Sequence, residues 1–208
     1  MKLLSNEAII RALQPYGVTA SSRLCDQIRV YIDLLLRWNQ KTSLTAVTQP
    51  EEIVRFHFGE SMLAAPSVPI RHGRLADVGS GAGFPAVPLR MVFSNLSVIL
   101  IESNQKKATF LAEVLRELQL QNVEVRRSRM EDVSFQDGAV DYVSARAVRM
   151  DDGFLNWSRQ SLNSSGSLVL WLGEGDAANV SGKPGWNWED LIRIPCSERR
   201  VILRGTKI

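Results

Sequence analysis

Residues 75–90 read LADVGSGAGFPAVPLR, and this stretch decides the fold. An apolar run ends at Val78 and gives way to three alternate glycines, Gly79, Gly81 and Gly83. Two prolines follow, at positions where the first-turn amide groups of a helix have no intrahelical partner, so that a missing N–H does no harm. The stretch therefore predicts a strand, a tight glycine loop and a helix.

Short runs rich in valine, isoleucine and leucine predict the strands of one sheet. They cover residues 75–78, 97–101, 123–126, 140–144, 167–172 and 199–204. A helical pattern over residues 103–120 separates the second run from the third. Strand, helix and strand at this spacing are typical of parallel βαβ units. We therefore expect an α/β fold with a mostly parallel, doubly wound sheet.

The first seventy residues have helical periodicity instead. Apolar positions recur at helical spacing over residues 22–38 behind Ser22 as a predicted N-cap, a shorter helix is predicted over 5–14, and a third begins at Pro50. We expect a helical extension over 1–70 that packs on the core, followed by a second domain over 71–208.

Two segments are predicted to lack regular structure. Residues 65–74 read as a connector, and the stretch GEGDAANVSGKPGWNW at 173–188 reads as a loop.

Composition excludes several classes of protein. The chain has 208 residues, 45% of them apolar, which is ample for a core. It has no apolar stretch long enough to span a bilayer, and its first twenty residues lack the order of a signal peptide, so we expect a cytoplasmic protein without membrane contact. Cys25 and Cys196 form no CxxC pair, and neither a disulfide nor a metal site is predicted.

The charge distribution is more informative than the formal net charge of +3. Arginines cluster at residues 126–129, 146–149 and 199–200. Clustered arginines can bind phosphates, whereas the alternative for each cluster is a solvated face with local ion pairs.

The spacing of the glycines separates two cofactors. A dinucleotide fingerprint, GxGxxG, would need glycine where this chain has Phe84. The pattern DxGxGxG is associated with S-adenosylmethionine, and in such sheets ligands bind beyond the carboxyl ends of the strands. The loop residues predicted to bind this cofactor are Asp77, Gly79, Ser80, Gly81 and Gly83.

Two later strand ends supply further cofactor candidates. Glu102 ends the second strand, nineteen residues after Gly83, where an acidic side chain would accept the ribose hydroxyls. Met130 and Glu131 follow the third strand, where an adenine ring would lie. Met130 would pack on the ring, and Glu131 or nearby backbone would bind its polar edge; the alternative is a simple turn at the strand exit.

These features resemble the GidB (RsmG) family of bacterial 16S rRNA (guanine-N7) methyltransferases. The matching segments are DVGSGAGFPAVPL at 77–89, ESNQKKATFL at 102–111, NVEVRRSRMED at 122–132, DYVSARAV at 141–148, WNQKTSLTAV at 38–47, HFGES at 57–61 and ERRVILR at 198–204.

The resemblance implies a class I (Rossmann-like) methyltransferase fold over 71–208, with S-adenosylmethionine as the methyl donor. It implies as acceptor the N7 atom of a guanine in the decoding-region loop of 16S rRNA, within the small ribosomal subunit. We expect a monomer that needs no metal and binds no DNA.

The resemblance also assigns roles to residues. By position, the expected cofactor contacts are Gly79, Phe84, Met130, Glu131 and Arg146. Arg146 and Arg129 are the expected catalytic residues near the target base, and the alternative for each is an ion pair to Glu131 or to the cofactor carboxylate. Three residues of this chain depart from the family pattern: Ser43 replaces the usual asparagine, Ala86 the usual glycine and Leu172 the usual lysine.

Other residues have a packing and an RNA-binding interpretation. Trp38 and Asn39, at the end of the long predicted helix, are placed to stack on or bond to an unpaired base. We interpret Trp38 and His57 as packing residues instead.

Two other functions stay open at this point. One is a methyltransferase of the same fold that acts on a small molecule or a protein. The other is a catalytically weak relative that binds RNA or S-adenosylmethionine without turnover.

Overall fold

Helices precede the sheet in the computed structural model, which describes residues 4–63, 70–135 and 139–208. They are α1 (Asn6–Leu13), α2 (Ser22–Asn39) and α3 (Pro50–Ile53), and α3 continues through a π-helical turn (Val54–Gly59) into α4 (Glu60–Met62). Ser21 caps α2 through a bond from the Leu24 amide, so the predicted cap at Ser22 was one residue late.

The remaining elements alternate between strands and helices. They are β1 (Gly73–Val78), α5 (Ala86–Val92), β2 (Leu96–Ile101), α6 (Gln105–Glu117), β3 (Val123–Arg126), β4 (Val140–Arg146), α7 (Asp152–Ser161), β5 (Leu162–Gly173), α8 (Glu174–Ser181), β6 (Trp186–Trp188), β7 (Ile192–Arg193) and β8 (Arg200–Lys207).

All these strands belong to one sheet with the order β3-β2-β1-β4-β5-β8-β6, and β7 pairs with β8. The pairs from β3 to β5 are parallel, whereas β8 runs antiparallel to β5, β6 and β7. The chain order reverses between β1 and β4, and a ligand of such a sheet binds at the carboxyl end of this switch point. The predicted doubly wound α/β fold and its six strands are confirmed.

The predicted loop over 173–188 is wrong except at residues 182–185, which form a turn. Residues 174–181 form α8, because Ala177 and Val180 lie one turn apart and are both buried against the sheet. Trp186 and Trp188 stack on each other and pair with β8, which makes this segment a strand.

The predicted connector over 65–74 is partly wrong. Gly73 and Arg74 already belong to β1, and the Arg74 amide donates to the Asp141 carboxylate. Residues 64–69 lie outside the described residues.

Hydrophobic side chains fill both faces of the sheet. One face packs on α7 and α8 through side chains such as Phe154, Leu155 and Val180. The other packs on α5 and α6, and the same core includes Ile9, Ile28 and other buried residues of the first helices. The division at residue 70 stays a prediction, since it falls beside residues outside the described part of the chain.

Tyr31 of α2 makes the central contact between the first helices and the glycine loop. Its side chain is fully buried, and its hydroxyl donates to the carbonyl oxygen of Ala82 at 2.6 Å. Its ring stacks on Phe84, with centroids 5.3 Å apart and planes 12° apart, and meets the ring of Phe58 edge-on. The side chain of Tyr31 therefore packs against the glycine loop and fixes its position relative to α2.

Within the described ranges, no helix is both long and apolar enough to cross a bilayer.

We expect Tyr31→Phe to lower the free energy of unfolding by about 1–3 kcal/mol, because it leaves the buried Ala82 carbonyl without its donor. Urea denaturation of wild type and variant measures the difference. Tyr16→Phe is the matched control, since Tyr16 is equally buried and its hydroxyl has no partner among the described residues. An equal loss in both variants would contradict the assignment.

Candidate functional site

The glycine loop between β1 and α5 has a backbone that requires glycine. Gly79, Gly81 and Gly83 have φ values of 66°, 55° and 86°, which disfavour residues with a side chain. A Cβ atom at Gly79 would lie 2.6 Å from the Val148 side chain, and one at Gly83 would overlap the Tyr31 hydroxyl. The alternate glycines therefore serve both chain reversal and close packing.

Backbone amides of the loop are satisfied from the end of β2. The amides of Gly79 and Ser80 donate to the Ile101 carbonyl at 2.9 and 3.2 Å. The Gly81 amide donates to Glu102 Oε2 at 2.8 Å, and the Asn104 amide donates to Glu102 Oε1 at 2.7 Å. Glu102 thus links the loop to the start of α6. Each carboxylate oxygen has a second lone pair, so the predicted ribose contact is compatible with these bonds.

Asp77 lies beneath the loop. It is 1% exposed, and its Oδ1 atom accepts a hydrogen bond from the Ser144 hydroxyl at 2.6 Å. This contact follows from the register, which places Asp77 opposite Ser144 on β4. Burial raises the pKa of Asp77 to about 7, although hydrogen bonds from Ser144 and Ser80 oppose the shift. Asp77 supports the loop from inside the sheet, and any cofactor contact by its side chain stays a prediction.

A first cavity of about 300 Å³ lies beyond the ends of β1, β2 and β3. It brings together four of the predicted residues: Gly79, Arg129, Met130 and Glu131. Apolar side chains of Val78, Ile101 and Val148 also line it. A cavity with apolar walls and polar groups at its rim can hold a flat heterocycle.

A second cavity of about 320 Å³ lies on the other side of the loop and shares Gly79 with the first. Its lining includes the predicted residues Gly79, Ser80, Gly81, Phe84 and Arg146, and in addition Leu44, His57 and Lys107. Segments that precede the sheet therefore form part of its wall.

Arg146 is anchored by a residue that the sequence did not single out. Its Nη2 atom donates to the Phe56 carbonyl at 2.9 Å and to Glu60 Oε2 at 3.1 Å. Glu60 is 1% exposed, and its Oε1 atom lies 2.8 Å from Nη1 of Arg200. The structure therefore pairs Arg146 with Glu60 and not with Glu131, the alternative partner that the sequence predicted.

Burial dominates the electrostatics of this ion-pair cluster. It lowers the pKa of Arg146 and raises that of Glu60, and the attraction between opposite charges opposes both shifts. Arg146, Arg200 and Glu60 line a third cavity of about 220 Å³ together with Leu172. Leu172 is itself buried.

The two predicted catalytic arginines do not share a cavity. Arg129 is exposed and lines the first, whereas Arg146 is largely buried and lines the second and third. Several of the clustered arginines have acidic partners, as the alternative interpretation of these clusters expects. Arg126 pairs with Glu124 at 2.8 Å, and Arg200 pairs with Glu60.

The packing interpretation of Trp38 and His57 agrees with their contacts. Trp38 packs on Phe110 and donates to Glu113 at 2.9 Å. His57 stacks on Phe84 with centroids 4.8 Å apart, and its Nε2 atom lies 2.7 Å from the Thr45 hydroxyl. Burial, and secondarily the Arg146 charge, lowers the pKa of His57 to about 4.

Asn39 closes the turn after α2 with its side chain. Its amide nitrogen donates to the Thr45 carbonyl, and its oxygen accepts from the Leu44 and Thr45 amides. This turn places Leu44 in the wall of the second cavity.

In the part of the chain that the structure describes, no group of three His, Cys, Asp or Glu side chains is arranged to hold a metal ion. Cys25 and Cys196 are both free thiols.

The sequence matches the family model GidB, described as rRNA small subunit methyltransferase G, over residues 24–185. It is similar to the "Ribosomal RNA small subunit methyltransferase G" of Xanthomonas axonopodis pv. citri (strain 306), with 37% identity over 191 residues that cover 90% of this chain and 88% of that protein. The protein of the same name from Ectopseudomonas mendocina (strain ymp) is 37% identical over 153 residues, which cover 74% of this chain and 71% of that one.

Solved structures share the fold at low identity. One is described as a SAM dependent methyltransferase from Aquifex aeolicus, with a TM-score of 0.62 and 16% identity, and it covers 72% of this chain and 90% of that chain. The arrangement of the sheet is therefore that of the class I, Rossmann-like methyltransferases.

We expect Asp77 to make the folded protein less stable as the pH rises from its ordinary pKa of 3.8 toward about 7. A carboxyl group whose pKa is raised by folding binds its proton more tightly in the folded state, so this stability is complete below the unfolded pKa and is lost as pH rises through the folded one. The shift corresponds to at most about 4 kcal/mol.

Urea denaturation at several pH values, for wild type and Asp77→Asn, measures this effect. The variant keeps a neutral side chain, so its free energy of unfolding lacks the Asp77 contribution. His57 contributes a slope of opposite sign below its unfolded pKa, but it is present in both proteins and cancels in the difference. Parallel pH profiles for the two proteins would contradict the assignment.

Proposed function

Since this chain belongs to the GidB family of rRNA small subunit methyltransferase G, we propose that it methylates N7 of a guanine in the decoding-region loop of 16S rRNA. The protein is an S-adenosylmethionine-dependent rRNA methyltransferase, and its fold is that of such enzymes. The names of its relatives specify only small-subunit rRNA, so the N7 atom and the decoding-region loop are the proposed part. We also infer that it acts as a cytoplasmic monomer.

Residues of the first and second cavities, together with Glu102, fit S-adenosylmethionine. At Gly81, where φ is 55°, an added Cβ would meet no atom nearer than the Gly79 carbonyl oxygen at 3.7 Å, so a ligand can approach the backbone closely there. Glu102 has acceptor capacity for the ribose, and Met130 lies beside apolar walls suited to the adenine. Phe84, largely buried, contributes to the second cavity, where the methyl-bearing end would lie.

When bound, S-adenosylmethionine supplies an electrophilic methyl carbon attached to a sulfonium. Guanine N7 has a free lone pair and loses no proton on methylation, so the site needs no general base. Consistently, His57 lies within hydrogen-bond distance of the Thr45 hydroxyl, and its pKa, lowered to about 4, makes it a weak base. The protein accelerates the reaction by positioning the base and by stabilising the charge that develops on it during methyl transfer.

Arg146 is the residue best placed for that work. It lines the second cavity beside Gly79 and Ser80, and its Nη1 atom has no acceptor among the described residues. An arginine bonded to N7 would occupy the attacked lone pair, so we propose that Arg146 donates to guanine O6 or to a phosphate. Arg129, on the rim of the first cavity, is the second candidate for an RNA contact.

The predicted contact between the Glu102 carboxylate and the cofactor can be tested by measuring cofactor affinity. We expect Glu102→Gln to weaken S-adenosylmethionine binding by roughly tenfold or more, because an amide cannot accept hydrogen bonds through both end atoms. Isothermal titration calorimetry measures the dissociation constant. Glu117→Gln on the exposed face of α6 is the control and should bind like wild type. Equal affinity in all three proteins would reject the assignment.

The reaction itself is tested with labelled S-adenosylmethionine and small ribosomal subunits that lack methylation at the site. We expect 7-methylguanosine at one position of 16S rRNA, identified by mass spectrometry after digestion. Arg146→Ala should slow transfer by about a hundredfold or more, because a donor to the reacting base is lost. Arg116→Ala, an exposed arginine at the end of α6, should retain wild-type activity.

Other outcomes identify the alternatives. Methylation of another atom or nucleotide would overturn the N7 assignment and leave the family assignment intact. Transfer to a small molecule or protein, or tight cofactor binding without transfer, would identify the corresponding alternative.

A further inference from the structure

A buried carboxylate outside the cofactor loop lies behind Arg146. Glu60 follows the π-helical turn and is 1% exposed. Its Oε2 atom accepts from Arg146, and its Oε1 atom lies 2.8 Å from Arg200 Nη1. A buried carboxylate is costly unless it is paired, and here two arginines share it.

Arg146 is restrained mainly through one nitrogen. Nη2 donates both to Glu60 and to the Phe56 carbonyl, whereas Nη1 is buried and has no acceptor in the described ranges. A planar guanidinium held at one nitrogen presents the other in a fixed direction. Glu60 and Phe56 therefore determine where the remaining N–H groups of Arg146 point.

Glu60 is itself fixed from several sides. Trp171 of β5 donates from its indole nitrogen to the Glu60 carbonyl at 2.8 Å. Arg200, at the start of β8, lies over the Phe56 ring at 5.0 Å from its centroid. Glu60 is thus connected to β5 through its backbone carbonyl, and its carboxylate is connected to β8 and to the end of β4.

Glu60 does not line the second cavity, whereas Arg146 does. Arg146, which donates to the Glu60 carboxylate, lines both the second and the third cavity, so it can transmit an effect of Glu60 to a base in the second. We propose that Glu60 is a positioning residue for methyl transfer, whose carboxylate, held by Arg200, orients Arg146 toward the acceptor nucleotide. This inference rests on the proposed function, in which Arg146 contacts guanine O6 or a phosphate.

The first test is Glu60→Gln, which keeps the shape of the side chain and removes its charge. We expect the rate of methyl transfer to small ribosomal subunits to fall by roughly tenfold or more, with S-adenosylmethionine affinity by calorimetry within about twofold of wild type. Glu60→Asp keeps the charge and should retain more activity than Glu60→Gln. Glu189→Gln is the matched control, because it breaks the ion pair between Glu189 and Arg204, a different arginine of β8, and it should behave as wild type.

A double substitution separates positioning from general structural support. If Glu60 acts through Arg146, Glu60→Gln should cost less than about twofold in an Arg146→Lys background, measured in single turnovers with excess enzyme. A full additional loss there would overturn the proposal. So would a wild-type rate for Glu60→Gln, or Glu60→Asp no more active than Glu60→Gln.

Two further outcomes are decisive. If Glu60→Gln does not fold, Arg200→Gln takes its place: a rate slowed by about threefold or more at unchanged cofactor affinity supports the proposal, and an unchanged rate overturns it. Absence of transfer by the wild type overturns the proposed function as well, whereas an active wild type with an inactive Arg146→Ala and a fully active Glu60→Gln overturns only the role of Glu60.

Discussion

The glycine loop at the carboxyl end of β1 is the constraint on which the rest of the site depends. Three alternate positive φ values can be adopted without strain only by glycines, and a backbone so tightly turned needs hydrogen bonds from outside itself. Ile101 and Glu102 supply acceptors from β2, and Tyr31 supplies a donor from α2. The first helices are thus part of the structure that holds the loop in shape.

Local chemistry explains what the sequence could predict. The strands, the glycine loop and α6 are determined by periodicity, φ preferences and the Asn104 cap, all of which are short-range signals. Residues 174–188 were missed because α8 buries only Ala177 and Val180, a pattern too short to identify a helix, and because pairing with β8 is a long-range contact.

The residues of the candidate site also fall into a group that the sequence could predict and a group that it could not. Gly79, Met130 and Glu131 could be grouped, since each follows a parallel strand and such ends meet at one edge of the sheet. Glu60, Tyr31 and Leu44 could not, because they come from helices and turns whose position depends on packing against the sheet. The segment HFGES contains Glu60, but nothing local indicates that its carboxylate faces two arginines 86 and 140 residues later.

The distribution of charge in the site suits a reaction without proton transfer. A general base would need a suitable pKa and access to the acceptor, whereas the pKa of His57, which lines the second cavity, is lowered to about 4, and Asp77 is enclosed beneath the loop. What the second cavity offers instead is a guanidinium with a fixed orientation. An arginine is charged at physiological pH wherever it lies, so what the site adds is the orientation of the Arg146 guanidinium. The buried Glu60 carboxylate and the Phe56 carbonyl behind it fix that orientation.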